Sequence, residues 1–295
     1  MPQLDCLHTK HVKENVSLRD LSSFRVGGLA RYFAEPRTEE ELQDIIRCAN
    51  QIALPFAIIG GCTNILFSDS GYPGVIIRYA ANKITQAGTE VICGSGLGLQ
   101  QLLSYCATNG LSGLEHLSGI PGLVGGAVRG NAGTSAEWIN SAVVSIKALD
   151  VNTLQMRTLS NPECKFSYRN SLFKENPGYY ITECRFALKK TFEKHVRSRG
   201  ALYIKNRSAQ PTGVNSAGCV FKNPPGLSAG KIIDQLGLKG KTMGGASVSE
   251  HHANFIINRG KASASDIIML ISYIKQQVRD KMGIQLQEEI EYIGF

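Results

Sequence analysis

Apolar residues recur at helical spacing in three stretches of the chain. Leu42, Ile45, Ile46 and Ala49 share one face behind Thr38 and Glu41, whose separation is that of a capping box, with Pro36 just ahead. This pattern predicts a helix over about 38–52. Leu99, Leu102, Leu103 and Cys106 form a second stripe, which Gly110 closes as a C-cap. Ile267, Leu270, Ile271, Ile274 and Val278 form a third, with Ser265 as its cap and Gly283 at its end. Ser228 caps a shorter helix ending at Gly237, and Lys189 to Arg207 reads as a basic helix. Short apolar runs at 55–59, 74–78 and 90–93 read as strands, as do 142–149 and 154–159 around a turn. At the C-terminus, alternation over 288–293 puts Glu289, Glu291 and Ile293 on one face and Glu288, Ile290 and Tyr292 on the other. Three acids there read most simply as a solvated edge. Helices and strands are interspersed, which makes the class α+β.

Composition narrows this picture. The 295 residues, 43 % of them hydrophobic, suffice for about two domains. The basic segment near 190 reads as the passage between them, giving domains 1–190 and 191–295. Charged residues make up 19 % and prolines number 10, which argues against disorder. The net charge of +8 is local: residues 189–261 hold 13 basic and 3 acidic side chains. That region is either a solvated basic face or a site for an anionic ligand. Glycine is in excess at 31 residues, eight of which fall in 110–133, a run poor for both helix and strand. None of the eight cysteines is spaced C-x-x-C, against structural zinc and thioredoxin chemistry. The first residues show no apolar leader, and the longest uncharged stretch, 48–68, is too polar for a membrane span. A cytoplasmic chain with reduced thiols is the expectation.

Candidate chemistry falls in a few segments. In 57–71 a strand runs into Gly60, Gly61, Cys62, Thr63 and Asn64, a small-residue turn that can aim successive N–H groups at a phosphate. An ordinary strand-to-turn junction is the plain alternative. In 118–133, closely spaced glycines with Asn131 let main chain approach a flat or anionic ligand; a glycine-rich connection is the alternative. Gly94, Gly96 and Gly98 give G-x-G-x-G, which fails the dinucleotide fingerprint of a Rossmann fold. In 165–173, Arg169 stands among uncharged neighbours as a carboxylate or phosphate clamp, or else as a surface arginine. In 215–224, Cys219 precedes Val220-Phe221, and Lys222 and Asn223 follow with a cation and an amide. A lone cysteine is ordinarily inert core, whereas a functional one sits near polar or cationic groups. His251 and His252 lack a third ligand in the sequence and read as structural, so no metal is expected.

Taken in order, SSFRVGG (22–28), IGGCTN, GIPGLVGGAVRGNAG, YRNSLF, SAGCVFKNP, AGKIIDQLGLKG (229–240) and EIEYIG (289–294) resemble the UDP-N-acetylenolpyruvoylglucosamine reductases. These are flavoenzymes that make UDP-N-acetylmuramate for peptidoglycan. The likeness covers nearly the whole chain, and its length fits the compact subclass without an inserted loop over the active site. The glycine loops are shared more widely with flavoproteins of the vanillyl-alcohol-oxidase type, while the last blocks are specific to the reductases.

The resemblance implies an FAD-binding domain of that type in two subdomains and a C-terminal α+β domain for the UDP-sugar. Gly60, Gly61, Cys62, Thr63 and Asn64 would cradle FAD together with Gly119, Gly122, Gly125, Gly126, Asn131, Ala132 and Gly133. Tyr168, Lys222 and Asn223 would contact substrate, and Arg169, Cys219 and Glu289 would be catalytic. NADPH would be the reductant and UDP-N-acetylglucosamine enolpyruvate the substrate, with a monomeric chain and neither nucleic acid nor membrane as partner. Hydride addition to the enolpyruvyl alkene leaves negative charge beside a carboxylate, which a fixed arginine stabilises. A glutamate helps there only when protonated, a form that burial favours. An ordinary thiol, titrating near ~8.5, remains an acid at pH 7. The chain departs from the family's habit in three places: Cys62-Thr63 stands for Gly-Ser, Arg129-Gly130 for Tyr-Met, and Asn170 for histidine. The competing readings are an FAD-dependent oxidase of the same fold and a nucleic-acid-binding protein using 189–261.

Overall fold

The computed structural model describes residues 12–134, 136–208 and 210–295. Cys6 and the N-terminal segment inspected above for a leader lie outside them. The chain divides into two units. The first includes Phe33–Gly61 and Val75–Arg207; the second comprises Glu14–Tyr32, Cys62–Gly74 and Ser208–Phe295. The basic passage belongs to the first unit rather than opening the second. Its helix, Glu193–Asn206, packs on the short turn Glu115–Leu117 and on helix Leu99–Thr108. Arg207 then donates to the carbonyls of Ser118 and His116 at 3.0 and 2.8 Å.

The first unit is built on a five-stranded antiparallel sheet. Its order is Gln155–Ser160, Val143–Asp150, Tyr179–Ala187, Glu90–Gly94 and Ile84–Ala87. Val91, Cys93, Ile146, Ala148, Cys184 and Phe186 from these strands are buried with Leu99, Leu102 and Cys106 from helix Leu99–Thr108. Fully burying one such aliphatic or aromatic side chain is worth about 1.5–3 kcal/mol. Beside this layer, Phe56–Ile59 pairs in parallel with Val75–Arg78. Helix Glu39–Gln51 forms where expected, capped by Thr38, but Glu41 reaches back past the cap residue to Arg37 instead of closing the box. Thr38 Oγ1 accepts from Glu41 N at 3.2 Å, and Glu41 Oε2 accepts from Arg37 N at 2.7 Å.

The glycine run is not wholly irregular. Val124–Arg129 is helical despite Gly125 and Gly126, and Val124, Ala127 and Val128 are buried. Each glycine costs about 1 kcal/mol of helix propensity. Two buried valines offset that, and the tertiary contact overrides the local preference.

In the second unit Phe24, Leu66, Val220, Ile233, Ile267, Leu270, Ile274 and Val278 share a core. A three-stranded antiparallel sheet, Thr242–Met243, Ala246–Val248 and Ile256–Asn258, flanks it. The long helix runs Ala264–Met282 and ends on Gly283 with φ +68°. Its cap is Ser263 rather than the expected Ser265. Ser263 Oγ accepts from Asp266 N and Asp266 Oδ2 from Ser263 N, each at 3.0 Å, and Asp69 Oδ1 takes Ala264 N at 2.9 Å.

The cysteines are mostly core. Cys93, Cys106, Cys164 and Cys184 are buried free thiols. Burial pushes Cys106 and Cys164 up to about 12, so they stay protonated and inert. Cys48, against the expectation of reduced thiols, is disulfide-bonded.

Two stability tests follow. Ser263→Ala is expected to cost about 1 kcal/mol in urea unfolding, and Ser265→Ala far less. His116 is buried, with Nδ1 3.8 Å from Glu137 Oε2. Burial, the largest effect, holds its imidazole below the ordinary 6.5. Below that value the unfolded chain takes up a proton that the folded chain does not, so stability is lost as pH falls toward the folded value. His116→Phe is expected to flatten the loss between about pH 7 and about pH 5, read as urea midpoints.

Candidate active site

In the first unit, strand Phe56–Ile59 delivers the chain into Gly60-Gly61. A Cβ on Gly61 would lie 2.9 Å from Gly122 Cα and 3.3 Å from Leu123 N, so only glycine allows this approach. Gly61 and Leu123 then line a cavity of about 460 Å³, with Gly96, Arg37, Arg78 and Lys83 among its other walls. Arg78 is held there by Glu35, with Nη2 and Nε donating to Oε1 at 2.6 and 3.0 Å. A glycine wall facing several cations fits a ligand that joins flat rings through a diphosphate, and the volume is in the range of cofactor sites. Beyond Gly61, Gly126 faces open space where a Cβ would stand.

The sequence reading missed the 78–83 segment, Arg37 and Glu35. The available signal was G-x-G-x-G. A Cβ on Gly96 would lie 2.5 Å from the Tyr79 carbonyl, and Gly96 N donates to Ala81 O at 2.9 Å. These glycines therefore seat the cavity-lining segment; they are not a Rossmann fingerprint.

The same unit brings the rest of the glycine segment to Arg169. Asn131, buried and left-handed at φ +43°, donates from Nδ2 to Ser167 O at 2.9 Å and accepts Asn140 N at 3.3 Å. Ser171 Oγ donates to Arg129 O at 2.7 Å. Between these ties, Ser167 and Asn170 exchange main-chain bonds, which puts Tyr168 and Arg169 at the tip of a tight turn. Arg169 is left-handed there, φ +54°, an unfavourable backbone for any residue with a Cβ and one that recurs at functional sites. Its guanidinium lies 5.7 Å from the Tyr168 ring centroid, and both terminal nitrogens are 3.5 Å from Gly133 O. Ala132 and Thr134, on either side of Gly133, are half-buried. Gly119 packs close to Arg207.

In the second unit three segments meet. Cys62 is buried at φ +52°, and its carbonyl accepts both Ser23 N and Ser23 Oγ. A Cβ held in this left-handed backbone costs about 1–2 kcal/mol. Thr63 and Asn64 follow, half-buried, and Ile65–Phe67 pairs in parallel with Glu291–Ile293. The C-terminal segment first runs along 220–222 instead. Lys222 N donates to Gln287 O at 2.8 Å and Glu289 N to Val220 O at 2.7 Å. Cys219, half-buried and outside any disulfide, therefore sits one residue from the partner of Glu289. Asn254 closes the other side, bonding both main-chain groups of Phe221. Lys222 is half-buried and Asn223 exposed; Asn223 Oδ1 accepts Ala229 N at the start of helix Ala229–Gln235. The 288–293 strand is shorter than expected: Glu291–Ile293 is strand, and Glu288 makes an isolated bridge to Phe221.

Much of the basic excess is used structurally. Lys239 pairs with Asp234, Arg197 with Glu193, Arg259 donates to Ser247 Oγ, Lys190 to Asn109 O, and Lys241 lies over the Tyr273 ring. Among the described residues no helix is long and apolar enough to cross a membrane.

Comparison with known proteins places this geometry. Residues 210–293 match the model of the UDP-N-acetylenolpyruvoylglucosamine reductase C-terminal domain, and residues 30–155 match an FAD binding domain. The chain is 40 % identical to the UDP-N-acetylenolpyruvoylglucosamine reductase of Carboxydothermus hydrogenoformans, over 96 % of this chain and 94 % of that one. It is 36 % identical to that of Caldanaerobacter subterraneus, over 95 % and 93 %. The crystal structure of the Thermus caldophilus reductase superposes with a TM-score of 0.82 at 36 % identity, covering 95 % of this chain and 98 % of that one. The chain belongs to the UDP-N-acetylenolpyruvoylglucosamine reductase family. It is a flavin-dependent oxidoreductase whose cofactor is FAD, and its fold is an FAD-binding domain joined to a reductase C-terminal domain.

Family membership makes the Gly61 contact testable. Gly61→Ala drives a methyl into the Gly122 main chain, which must then move. The expected result is a purified protein with markedly less bound flavin, read from the visible absorbance per polypeptide. Lys231→Ala, on an exposed turn of helix Ala229–Gln235, serves as the control and stays fully loaded.

Proposed function

We propose that the chain reduces UDP-N-acetylglucosamine enolpyruvate to UDP-N-acetylmuramate with NADPH, in the cytoplasm and as a monomer. The observation that carries this reading is the main-chain bond between Glu289 and Val220, which sets a glutamate beside Cys219 in a chain of this family. Bound FAD would supply the hydride chemistry that links the nicotinamide to the alkene. Gly60, Gly61, Gly122, Gly126 and the cations around the 460 Å³ cavity would hold it.

The remaining work belongs to side chains. The alkene carbon next to the substrate carboxylate gains negative charge as the terminal carbon is reduced. Arg169, on its rigid turn, offers a planar cation matched to a carboxylate and stabilises that charge. Glu289, carrying a proton, donates a hydrogen bond to the same developing charge; ionised, it would repel it. The Cys219 thiol hands its proton to the carbon, which completes the reduction. General acid catalysis of this kind is worth about 10²–10⁴-fold. Tyr168, Lys222 and Asn223 contact the UDP-sugar. The product is a building block for peptidoglycan.

The purified protein is expected to be yellow and to oxidise NADPH only when the enolpyruvyl sugar is present. NADPH turnover that needs no sugar and consumes oxygen would support the oxidase reading instead. Cys219→Ala is expected to slow reoxidation of the reduced flavin by the sugar about 10²–10⁴-fold, while NADPH still bleaches the flavin. Cys219→Ser keeps activity, because a hydroxyl also carries a proton. Normal turnover of Cys219→Ala with the sugar would remove the thiol from the mechanism.

A further inference from the structure

Asn64 closes the turn whose glycines the resemblance assigns to the cofactor, yet its side chain is engaged elsewhere. Nδ2 donates to the Glu289 carbonyl at 2.9 Å, while the Asn64 carbonyl accepts Glu291 N, also at 2.9 Å. Asn64 thus grips the C-terminal segment on both sides of Ile290, which is buried in the core. Glu289 N is taken by Val220 O at 2.7 Å, so both main-chain polar groups of Glu289 have partners. The adjacent carboxylate is fixed as well. Glu288 Oε1 accepts Lys275 Nζ at 2.6 Å, and its Oε2 accepts the Tyr292 hydroxyl. The main chain at Glu289 is therefore held on both sides. An amide of this length is what the contact needs. Aspartate is isosteric but offers no donor to a carbonyl, and serine is too short to reach.

We infer that Asn64 is a positioning residue for Glu289, placing its carboxyl through the Nδ2 bond to the Glu289 carbonyl. The inference rests on the catalytic role proposed for Glu289 above. A 1 Å misplacement of a reacting group costs about 10²-fold in rate, and that sets the size of the effect. If Asn64 acts through Glu289, removing Glu289 must erase the effect of changing Asn64, because interacting sites are not additive.

The test uses the flavin-loaded protein and counts rate per bound flavin. Asn64→Asp, Glu289→Gln and the double variant are reduced with NADPH without oxygen, then mixed with UDP-N-acetylglucosamine enolpyruvate, and flavin reoxidation is followed. Asn64→Asp is expected to slow reoxidation about 10²-fold, and the double variant to be no slower than Glu289→Gln alone. Asn64→Ser replaces Asn64→Asp should the latter fail to fold. Losses that multiply in the double variant would show that Asn64 acts apart from Glu289 and would overturn the inference. So would a wild-type rate in the single variants. If the wild-type protein itself leaves the sugar unreduced, the proposed function fails and takes the inference with it; if only the Asn64 variants behave as wild type, the proposed function stands alone.

Discussion

Main chain lying against main chain, closer than any side chain permits, is the constraint that organises the first unit. A Cβ on Gly61 would press on Gly122, and one on Gly96 on the Tyr79 carbonyl. These contacts fix two walls of the cavity without using a side-chain torsion, so the walls inherit the rigidity of the strands that lead into them. The Arg169 turn hangs from the same glycine segment through Asn131 and Ser171. Arginine is a flexible residue; its place here is set by neighbours whose own freedom has been removed.

The second unit solves the same problem with hydrogen bonds. Residues 287–293 change partners in mid-course, from the 220–222 segment to the parallel strand Ile65–Phe67. The change occurs at Ile290, between Glu289 and Glu291. A strand paired on one side throughout would present its glutamates in plain alternation to solvent. A strand handed from one neighbour to another keeps the Glu289 main chain against the segment that carries Cys219.

Elements that announce themselves through local chemistry were legible in the sequence. The Thr38 cap, the stripe on helix Leu99–Thr108 and the Gly283 stop are short-range patterns, and the structure has them. Ser263 was passed over for Ser265 because both are serines before an apolar stripe, and only Asp266 reaching back separates them. Helix Val124–Arg129 was hidden because burial of Val124 and Val128, a tertiary effect, outweighs two glycines. Arg169 and Cys219 stood out by neighbourhood, whereas their roles came from likeness to a family. The cations at 78–83 are marked only indirectly, by the glycines that seat their segment, since nothing local says that a strand end faces a cavity. Glu289 was visible as one of three acids. What distinguishes it from Glu288 is that Lys275, thirteen residues away, claims the latter.

The division of the chain falls inside two strands, between Tyr32 and Phe33 and between Gly74 and Val75. The second core therefore draws Phe24, Val26 and Leu66 from the beginning of the chain and Ile290 from its end. Asn258 Nδ2 donates to Phe24 O across 234 residues of sequence. Contacts of such long reach must wait for loop closure, which makes them slow to form. During synthesis the first unit can consolidate its sheet once residue 207 has emerged, whereas Phe24 and Leu66 remain unmatched until residues 217–290 arrive. The segments that carry Cys219 and Glu289 are thus assembled last, and an interrupted chain would expose the apolar half of a core that has no partner yet.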